Sequence, residues 1–374
     1  MKLHLRKCLI ILAVICLSAC GCSDELSLEN AATPLALGID LDENDKFQYY
    51  ITIPVFSKNI NKKSQQGGGK AFTLRQSNSQ QDAQTAGSVQ GRNYQVLLIG
   101  KRLLEHEDWF RMLDVLFRDP RNTVMDRVIV IDSPVSEIIY LNKDDQPQLP
   151  ILLRGMVETK SKKSETYATT VQDLHQLFYE KGISPYMAEV KIVKKELRLE
   201  GSALLNSRGK YEKSLNAQET ALLHVLQKKA KPGVSFSYRI PGEPNIGPFA
   251  TDMLSFTANK IKTKIATSYQ NGRFVFDFHI KMTIGLSEHL FPYDVANDAN
   301  KLEKQAAEQM KAQMEQVIRS FQKHQIDPIG LGIYARAFEY KAFKKVEDHW
   351  GEAFEDADVH VKLDLTIGAM GPIR

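Results

Sequence analysis

The order of apolar and polar residues predicts strands in the first half of the chain. Residues 35–40 and 47–56 are apolar and rich in β-forming residues, and the polar residues 41–46 separate them, as in a hairpin. Residues 94–100 and 127–131 are continuous apolar runs without alternation. Such runs are typical of central strands that are covered on both faces.

Strands with only one buried face are predicted in the second half, where apolar and polar residues alternate. The inward positions are Leu197, Leu199, Gly201, Ala203 and Leu205 in one strand, Phe274, Phe276, Phe278, Ile280, Met282 and Ile284 in the next, and Val359, Val361, Leu363, Leu365 and Ile367 in the last. The polar residues between these positions are expected to face solvent.

Helical spacing of apolar residues predicts helices between these strands. The predicted helices cover residues 77–89, 103–117, 136–141, 170–181, 216–229 and 294–323. Trp109 lies in the second helix and is expected to line the core. The final helix is the longest, and residues 327–330 (Asp-Pro-Ile-Gly) end it.

This order of elements predicts a multi-domain fold of the α/β and α+β classes, with mixed sheets flanked by helices. Strand alternates with helix in residues 20–183, which we expect to form an N-terminal α/β domain. A middle α/β domain is expected over residues 184–290. Residues 291–374 are expected to add a helix-plus-strand domain that can share a sheet with the middle one.

A polar stretch at residues 57–70 contains Gly67, Gly68 and Gly69 and predicts a mobile surface loop. It does not fit a phosphate-binding P-loop, because Ala71 stands where the motif needs a hydroxyl after the lysine.

The first residues predict a lipoprotein signal peptide over residues 1–19. Three basic residues precede an apolar run over residues 8–19, which is too short to span a bilayer. The run ends in Leu17-Ser18-Ala19-Cys20, which resembles the bacterial lipobox. We therefore expect Cys20 to carry the lipid anchor that holds the protein to the outer leaflet. Cys22 is the alternative, since small residues precede it as well.

Composition excludes several classes of protein. The 374 residues are 43% hydrophobic and 25% charged, as in globular proteins rather than disordered or multi-span membrane proteins. The net charge of +4 is too small for a typical nucleic-acid binder. All four cysteines precede residue 23, so the rest of the chain holds no thiol for catalysis, disulfides or zinc.

The sequence lacks the familiar catalytic and metal-binding patterns. The acidic residues Asp40, Asp42 and Asp45 resemble a calcium loop but lack its glycine and bidentate glutamate, so a solvated turn is expected. The chain contains neither a His-Glu-x-x-His pair nor a Gly-x-Ser-x-Gly elbow. We therefore predict no catalytic residue, no metal ligand and no cofactor, and no ligand-binding residue is identified.

Three basic stretches remain: residues 160–163, 194–195 and 228–231. Each could meet anionic lipid head groups or an acidic partner, whereas a solvated face is the more common role of such a run.

The pattern as a whole resembles the Ger(x)C family, the C-subunit lipoproteins of bacterial spore germinant receptors. The similarity rests on an N-terminal lipidated cysteine, on Leu37-Gly38-Ile39-Asp40, on residues 327–332 (Asp-Pro-Ile-Gly-Leu-Gly) and on residues 350–354 (Trp-Gly-Glu-Ala-Phe). The family commonly has a tryptophan after the anchor cysteine, whereas Ser23 follows Cys22 here. Counted back from Asp40, the family spacing places the anchor at Cys22 rather than Cys20.

This resemblance implies a function, which the residue patterns alone do not indicate. Members of the family lie on the outer face of the spore inner membrane and act with two integral-membrane partners, the A and B subunits. They contain three α/β-type domains, have no known enzymatic activity and take part in nutrient sensing. A solute-binding lipoprotein that delivers a nutrient to a membrane transporter is the alternative, but such proteins usually have two similar lobes.

Trp350 is expected to be structural. It lies four residues before Phe354, so the two share one face if residues 346–355 form a helix. That face is expected to pack on the sheet that carries Phe276 or Val361.

Overall fold

A computed structural model of the chain describes residues 31–55, 62–85, 88–89, 94–119, 122–141, 146–292 and 295–369. The predicted signal peptide and both candidate anchors, Cys20 and Cys22, lie outside the described residues.

The larger sheet has eight strands in the order β10-β9-β8-β7-β6-β2-β3-β4. Neighbours among β2, β6, β7 and β8 are parallel, and the other pairs are antiparallel. The strands are β2 (Ala36–Leu41), β3 (Phe47–Pro54), β4 (Ser64–Lys70), β6 (Val96–Gly100), β7 (Arg127–Ile131), β8 (Tyr186–Val193), β9 (Glu196–Leu205) and β10 (Tyr211–Asn216). Two short strands, β1 (Ala31–Ala32) and β5 (Ser88–Val89), pair separately.

Helices cover both faces of this sheet, because its central strands are apolar on both sides. Every residue of β6 is buried, as the unbroken apolar run predicts. Alternate residues of the parallel strands belong to two separate core clusters, one on each face. The helices are α1 (Leu74–Asp82), α2 (Asp114–Arg118), α3 (Val135–Ile139), α4 (Leu149–Lys162) and α5 (Val171–Tyr179).

The second sheet has four strands in the order β11-β12-β13-β14, and only β13 and β14 are parallel. Its strands are β11 (Val234–Arg239), β12 (Met253–Gln270), β13 (Arg273–His289) and β14 (Asp358–Ala369). The helices of this half are α6 (Ala217–Leu226), α7 (Val295–Lys323), α8 (Leu331–Phe338), α9 (Tyr340–Phe343) and α10 (Trp350–Glu355).

The predicted alternation in β13 is confirmed. Its inward residues, Phe274 to Ile284 in steps of two, are all buried in the core cluster that also contains Met310 and Met314 of α7. The apolar stripe of α7 thus packs on the face of the sheet that the alternating pattern makes apolar.

The sheets do not follow the domain boundaries expected from the sequence. Strands β8, β9 and β10 come after residue 183 but extend the larger sheet. Strand β14 comes after residue 290 and joins β13, a shared sheet of the kind that the sequence allowed. The division of the chain into three domains at residues 183 and 290 therefore remains a prediction.

The expected loop at residues 57–70 is wrong for its second half. Ser64–Lys70 is the edge strand β4, in which Gly67, Gly68 and Gly69 pair with Ile51, Tyr50 and Tyr49. A Cβ atom on Gly68 would lie 2.7 Å from the carbonyl oxygen of Tyr49 and 2.7 Å from the ring of Tyr50. Glycine is required at position 68 because Tyr49 and Tyr50 fill the space that a side chain would need.

The helix expected over residues 103–117 is broken into two short 3₁₀ turns, Leu103–Glu105 and Trp109–Leu113, followed by α2. Asp108 interrupts it with a left-handed φ of 60°, and its N–H donates to the Arg208 carbonyl at 2.8 Å. Trp109 is buried in the core, as expected. The helix expected at 77–89 is also displaced, because Thr73 caps α1 and Ser88–Val89 is a strand.

Candidate functional site

The family-like residues of the C-terminal half meet in one buried turn after α7. The carboxylate of Asp327 accepts hydrogen bonds from the backbone N–H groups of Gly330 at 2.8 Å and Gly332 at 2.9 Å. It also accepts one from the indole N–H of Trp350 at 2.8 Å. Burial raises the pKa of Asp327 to about 6, although these donors favour the charged form. The carboxylate thus fixes the start of α8 and holds Trp350 in place.

Trp350 is a core residue, as predicted from its spacing to Phe354. Its ring lies 5.2 Å from that of Phe274 and 6.5 Å from that of Phe276, both on β13. Phe343 packs against it at 5.6 Å. A short 3₁₀ turn (Glu347–His349) precedes α10, so the predicted helix over 346–355 is confirmed only in its second half.

The same turn joins the two halves of the chain. The N–H of Asp327 donates to the hydroxyl of Ser184 at 2.8 Å, and the N–H of Ser184 donates to the carbonyl of Asp327 at 2.8 Å. Gly332 approaches Gly182 so closely that a Cβ on Gly332 would lie 2.4 Å from the Gly182 Cα. We call Gly182, Ser184, Asp327, Gly332 and Trp350 the central joint.

Ion pairs surround the central joint on its exposed side. Arg336 donates to Glu180 at 2.6 Å, and Lys181 lies 3.0 Å from Glu347 and 2.8 Å from Asp348. Because these pairs are partly exposed to solvent, we expect the buried hydrogen bonds to contribute more to the joint than the charges do.

The Gly38-Ile39-Asp40 sequence also has a structural explanation. The carboxylate of Asp40 is buried at the end of β2 and accepts from the N–H of Val135 at 2.9 Å, at the start of α3. Gly38 and Gly100 leave room for this arrangement, since a Cβ on Gly100 would overlap the Asp40 carboxylate. Burial raises the pKa of Asp40.

Four charged residues that the sequence reasoning missed cluster near the ends of the parallel strands. Lys101 lies 2.7 Å from Asp132 and 3.8 Å from Glu189, and Lys191 lies 3.0 Å from Asp132. Burial raises the pKa of Glu189, and the positive charges of Lys101 and Lys191 oppose this increase. The sequence contained a signal for this cluster, because Lys101 and Asp132 each directly follow an apolar strand and the ends of neighbouring parallel strands lie side by side. Two cations balance two carboxylates here, so the cluster ties the strands together.

The expected solvated turn is confirmed for residues 42–45 but is wrong for Asp40, which is buried in β2. Asp42 accepts from the N–H groups of Asn44 at 2.9 Å and Lys46 at 3.0 Å, and its carboxylate pairs with Lys70 at 2.7 Å. Over the whole described part of the chain, no group of three or more His, Cys, Asp and Glu side chains is arranged to hold a metal ion.

Two of the three basic stretches come together. The N–H of Lys231 donates to the hydroxyl of Ser164 at 2.9 Å, which places residues 228–231 beside the end of α4 and residues 160–163. Residues 194–195 form the turn between β8 and β9, at the other end of β8.

None of the helices in the described part of the chain is both long and apolar enough to cross a bilayer.

The chain matches two family models in succession. Residues 24–192 match the spore germination protein N-terminal domain, and residues 200–371 match the model described as spore germination B3/GerAC like, C-terminal. The boundary between the matches falls at the β8–β9 turn.

Two curated proteins of Bacillus subtilis (strain 168) are similar along their whole length. Spore germination protein B3 is 21% identical over 372 residues, which cover 96% of this chain and 96% of that protein. Spore germination protein YndF is 21% identical over 417 residues, which cover all of both chains.

The crystal structure of the GerBC protein has the same fold. It superposes with a TM-score of 0.57 at 19% identity and covers 89% of this chain and 96% of that one. This agreement confirms the predicted mixed sheets flanked by helices. With two consecutive family matches and a shared fold, the chain belongs to the Ger(x)C family of spore germination proteins.

Proposed function

We propose that this protein is the C subunit of a nutrient germinant receptor and that spores need it to respond to nutrients. The observation that carries the proposal is the pair of family matches, which together extend from residue 24 to residue 371 with only seven residues between them. A protein that shared one domain alone with germination proteins would not show this order and extent.

Its role in the receptor is non-catalytic. The buried carboxylates at Asp40 and Asp327 accept hydrogen bonds from backbone groups, and the Lys101 cluster is balanced within itself. In each case the polar groups have structural partners, and the Glu189 carboxylate of the cluster also accepts hydrogen bonds from the hydroxyls of Tyr211 and Ser214.

The protein is attached to the outer face of the spore inner membrane through an acylated N-terminal cysteine. The lipobox favours Cys20, and the family spacing favours Cys22. Mass spectrometry of the mature N-terminus, with Cys20→Ala and Cys22→Ala as a matched pair, decides between them. We expect a diacylglyceryl group on Cys20; two unmodified cysteines would contradict the attachment.

The partners are the integral-membrane A and B subunits. Deletion of the gene should abolish the nutrient response, and the wild-type chain should restore it and co-purify with both subunits from spore membranes. Germination triggered without a nutrient receptor should be unaffected by the deletion, which serves as the control. Co-purification with a transporter would instead favour the solute-binding alternative, although sheets of eight and four strands do not form two similar lobes.

A further inference from the structure

Two basic stretches that are far apart in the sequence form one surface. Lys162 and Lys163 end α4, and Ser164 next to them accepts the hydrogen bond from Lys231. We call the five exposed lysines of this surface, Lys162, Lys163, Lys228, Lys229 and Lys231, the basic edge.

The lysines of the basic edge lack carboxylate partners among the described residues. Within the ranges that the structure describes, none of the five forms an ion pair, and Lys228 and Lys229 contact the tyrosines Tyr334 and Tyr186 instead. The nearby acids are already engaged: Glu165 pairs with Lys160, Glu180 with Arg336, and Asp173 caps α5. The basic edge is therefore a surface of uncompensated positive charge.

The basic edge lies on the side of the larger sheet where the chain enters it. Ala36 pairs with Val96, Val96 with Arg127, and Ile129 with Ala188, so the first residues of β2, β6, β7 and β8 form a row. At about 4.8 Å per strand, Tyr186 lies roughly 14 Å from Ala36 along this row. The ammonium group of Lys229 is 3.0 Å from the hydroxyl of Tyr186.

A membrane anchor at residue 20 would be joined to the fold through Ala36, which lies on this side of the sheet. Ala36 is sixteen residues from Cys20. A fully extended segment of that length reaches at most about 55 Å, and a relaxed one much less. An anchored chain therefore brings the basic edge within reach of the membrane surface, while the β8–β9 turn points the opposite way.

We propose that the basic edge binds the anionic phosphate head groups of the membrane and so orients the protein with the first residues of its parallel strands toward the bilayer. This inference rests on the membrane attachment proposed above. Clustered lysines near a membrane are attracted to anionic lipids, and the attraction is lost at high salt.

The test uses the full acylated chain in lipid nanodiscs of phosphatidylcholine alone or enriched in phosphatidylglycerol. Each lysine is labelled by acetylation and quantified by mass spectrometry. We expect the five lysines to react about fivefold more slowly in the anionic discs, as a local electrostatic attraction of this kind predicts. Lys194 and Lys195, in the β8–β9 turn, should react equally in both discs, and high salt should remove the protection.

A pair of matched variants isolates the electrostatic contribution. Lys228→Gln/Lys229→Gln/Lys231→Gln should abolish the protection of Lys162 and Lys163. Lys260→Gln/Lys262→Gln/Lys264→Gln removes the same charge from exposed positions on β12 and should preserve it. Melting temperatures establish that both variants are folded.

The outcomes separate this inference from the proposed attachment. A chain that binds discs of both kinds but shows equal lysine reactivity in them overturns the basic edge alone. Protection of Lys194 and Lys195 in place of the five would also overturn it. A chain that associates with neither disc overturns both the attachment and the inference.

Discussion

The indole N–H of Trp350 lies 2.8 Å from the Oδ2 atom of Asp327, and the backbone N–H of Gly332 donates to the same oxygen. One carboxylate oxygen thus connects the start of α8 to the helix that packs on β13. Because the backbone of Asp327 also bonds to Ser184, a change at this carboxylate affects both halves of the fold.

Replacement of Trp350 should separate its packing from its hydrogen bond. Trp350→Ala removes a side chain that is only 6% exposed and should lower the free energy of unfolding by about 3–5 kcal/mol. Trp350→Phe keeps a ring against Phe274 but leaves Asp327 without the indole donor, so a loss of about 1–3 kcal/mol is expected. Denaturant unfolding measures both values.

Phe338→Ala is the control, because that aromatic side chain is 65% exposed, and its effect should stay within about 0.5 kcal/mol. If Trp350→Ala melted like the wild type yet gave no germination response, Trp350 would be an interface residue rather than a core residue.

A methyl group at Gly332 should disturb the central joint. In Gly332→Ala, the new Cβ would lie 2.4 Å from the Gly182 Cα and 2.8 Å from the Trp350 ring. We expect a destabilisation of about 1–3 kcal/mol, since backbone atoms must move apart. Gly155→Ala is the matched control within α4, where nothing lies within 4 Å of the added atom. It should be neutral or stabilising by up to about 1 kcal/mol. Equal stability of the two variants, measured by thermal unfolding, would show that the close approach does not constrain the joint.

The charge cluster should show measurable coupling between Lys191 and Asp132. A double-mutant cycle of Lys191→Ala and Asp132→Ala should give a coupling energy of about 1 kcal/mol, because Lys101 and Glu189 hold the pair in a network. The pair Lys70–Asp42 lies outside this network and has a largely exposed lysine, so it provides the comparison and should give a smaller coupling. Coupling of the same size in both pairs would mean that the network adds nothing.

Periodic elements of the fold could be predicted from the sequence, and locally atypical ones could not. The buried run of β6 and the alternation of β13 were recognised because burial dictates the residue pattern directly. The strand Ser64–Lys70 was missed because glycine and glutamine carry no strand signal, and its pairing depends on Tyr49 and Tyr50 in the neighbouring strand. The structure of this segment therefore depends on contacts with a distant part of the sequence.

The candidate sites also contain some features that the sequence predicts and others that it does not. The structural role of Trp350 followed from its spacing to Phe354, but its hydrogen bond to Asp327 depends on a turn that brings together residues 23 positions apart. The contact between Lys231 and Ser164 was likewise invisible in the sequence, because it joins residues 67 positions apart. Such pairings arise from topology, which residue patterns specify only indirectly.

Stability should depend on pH through His224. The ring is 8% exposed, stacks on Tyr167 at 4.1 Å and contacts the Thr166 carbonyl through Nε2 at 3.3 Å. Burial, reinforced by the nearby Lys229 and Lys231, lowers the pKa of His224 from 6.5 to about 4. Between these two values the unfolded chain binds the proton and the folded protein does not, so stability is complete above pH 6.5 and falls as the pH drops toward 4.

The difference between wild type and His224→Phe isolates this contribution, since phenylalanine keeps the ring and does not titrate. Relative to the wild type, the free energy of unfolding of the variant should rise by up to about 3 kcal/mol as the pH falls from 6.5 to 4. Above pH 6.5 the difference between the two proteins should stay constant. The wild-type profile must be subtracted because a second group titrates in the same range. Burial raises the pKa of Asp126 to about 7, and this shift makes the folded state less stable as the pH rises from 4 to 6.5, opposite to the effect of His224. Urea unfolding at a series of pH values measures both profiles. Parallel profiles would mean that His224 takes up its proton equally in the folded and unfolded states.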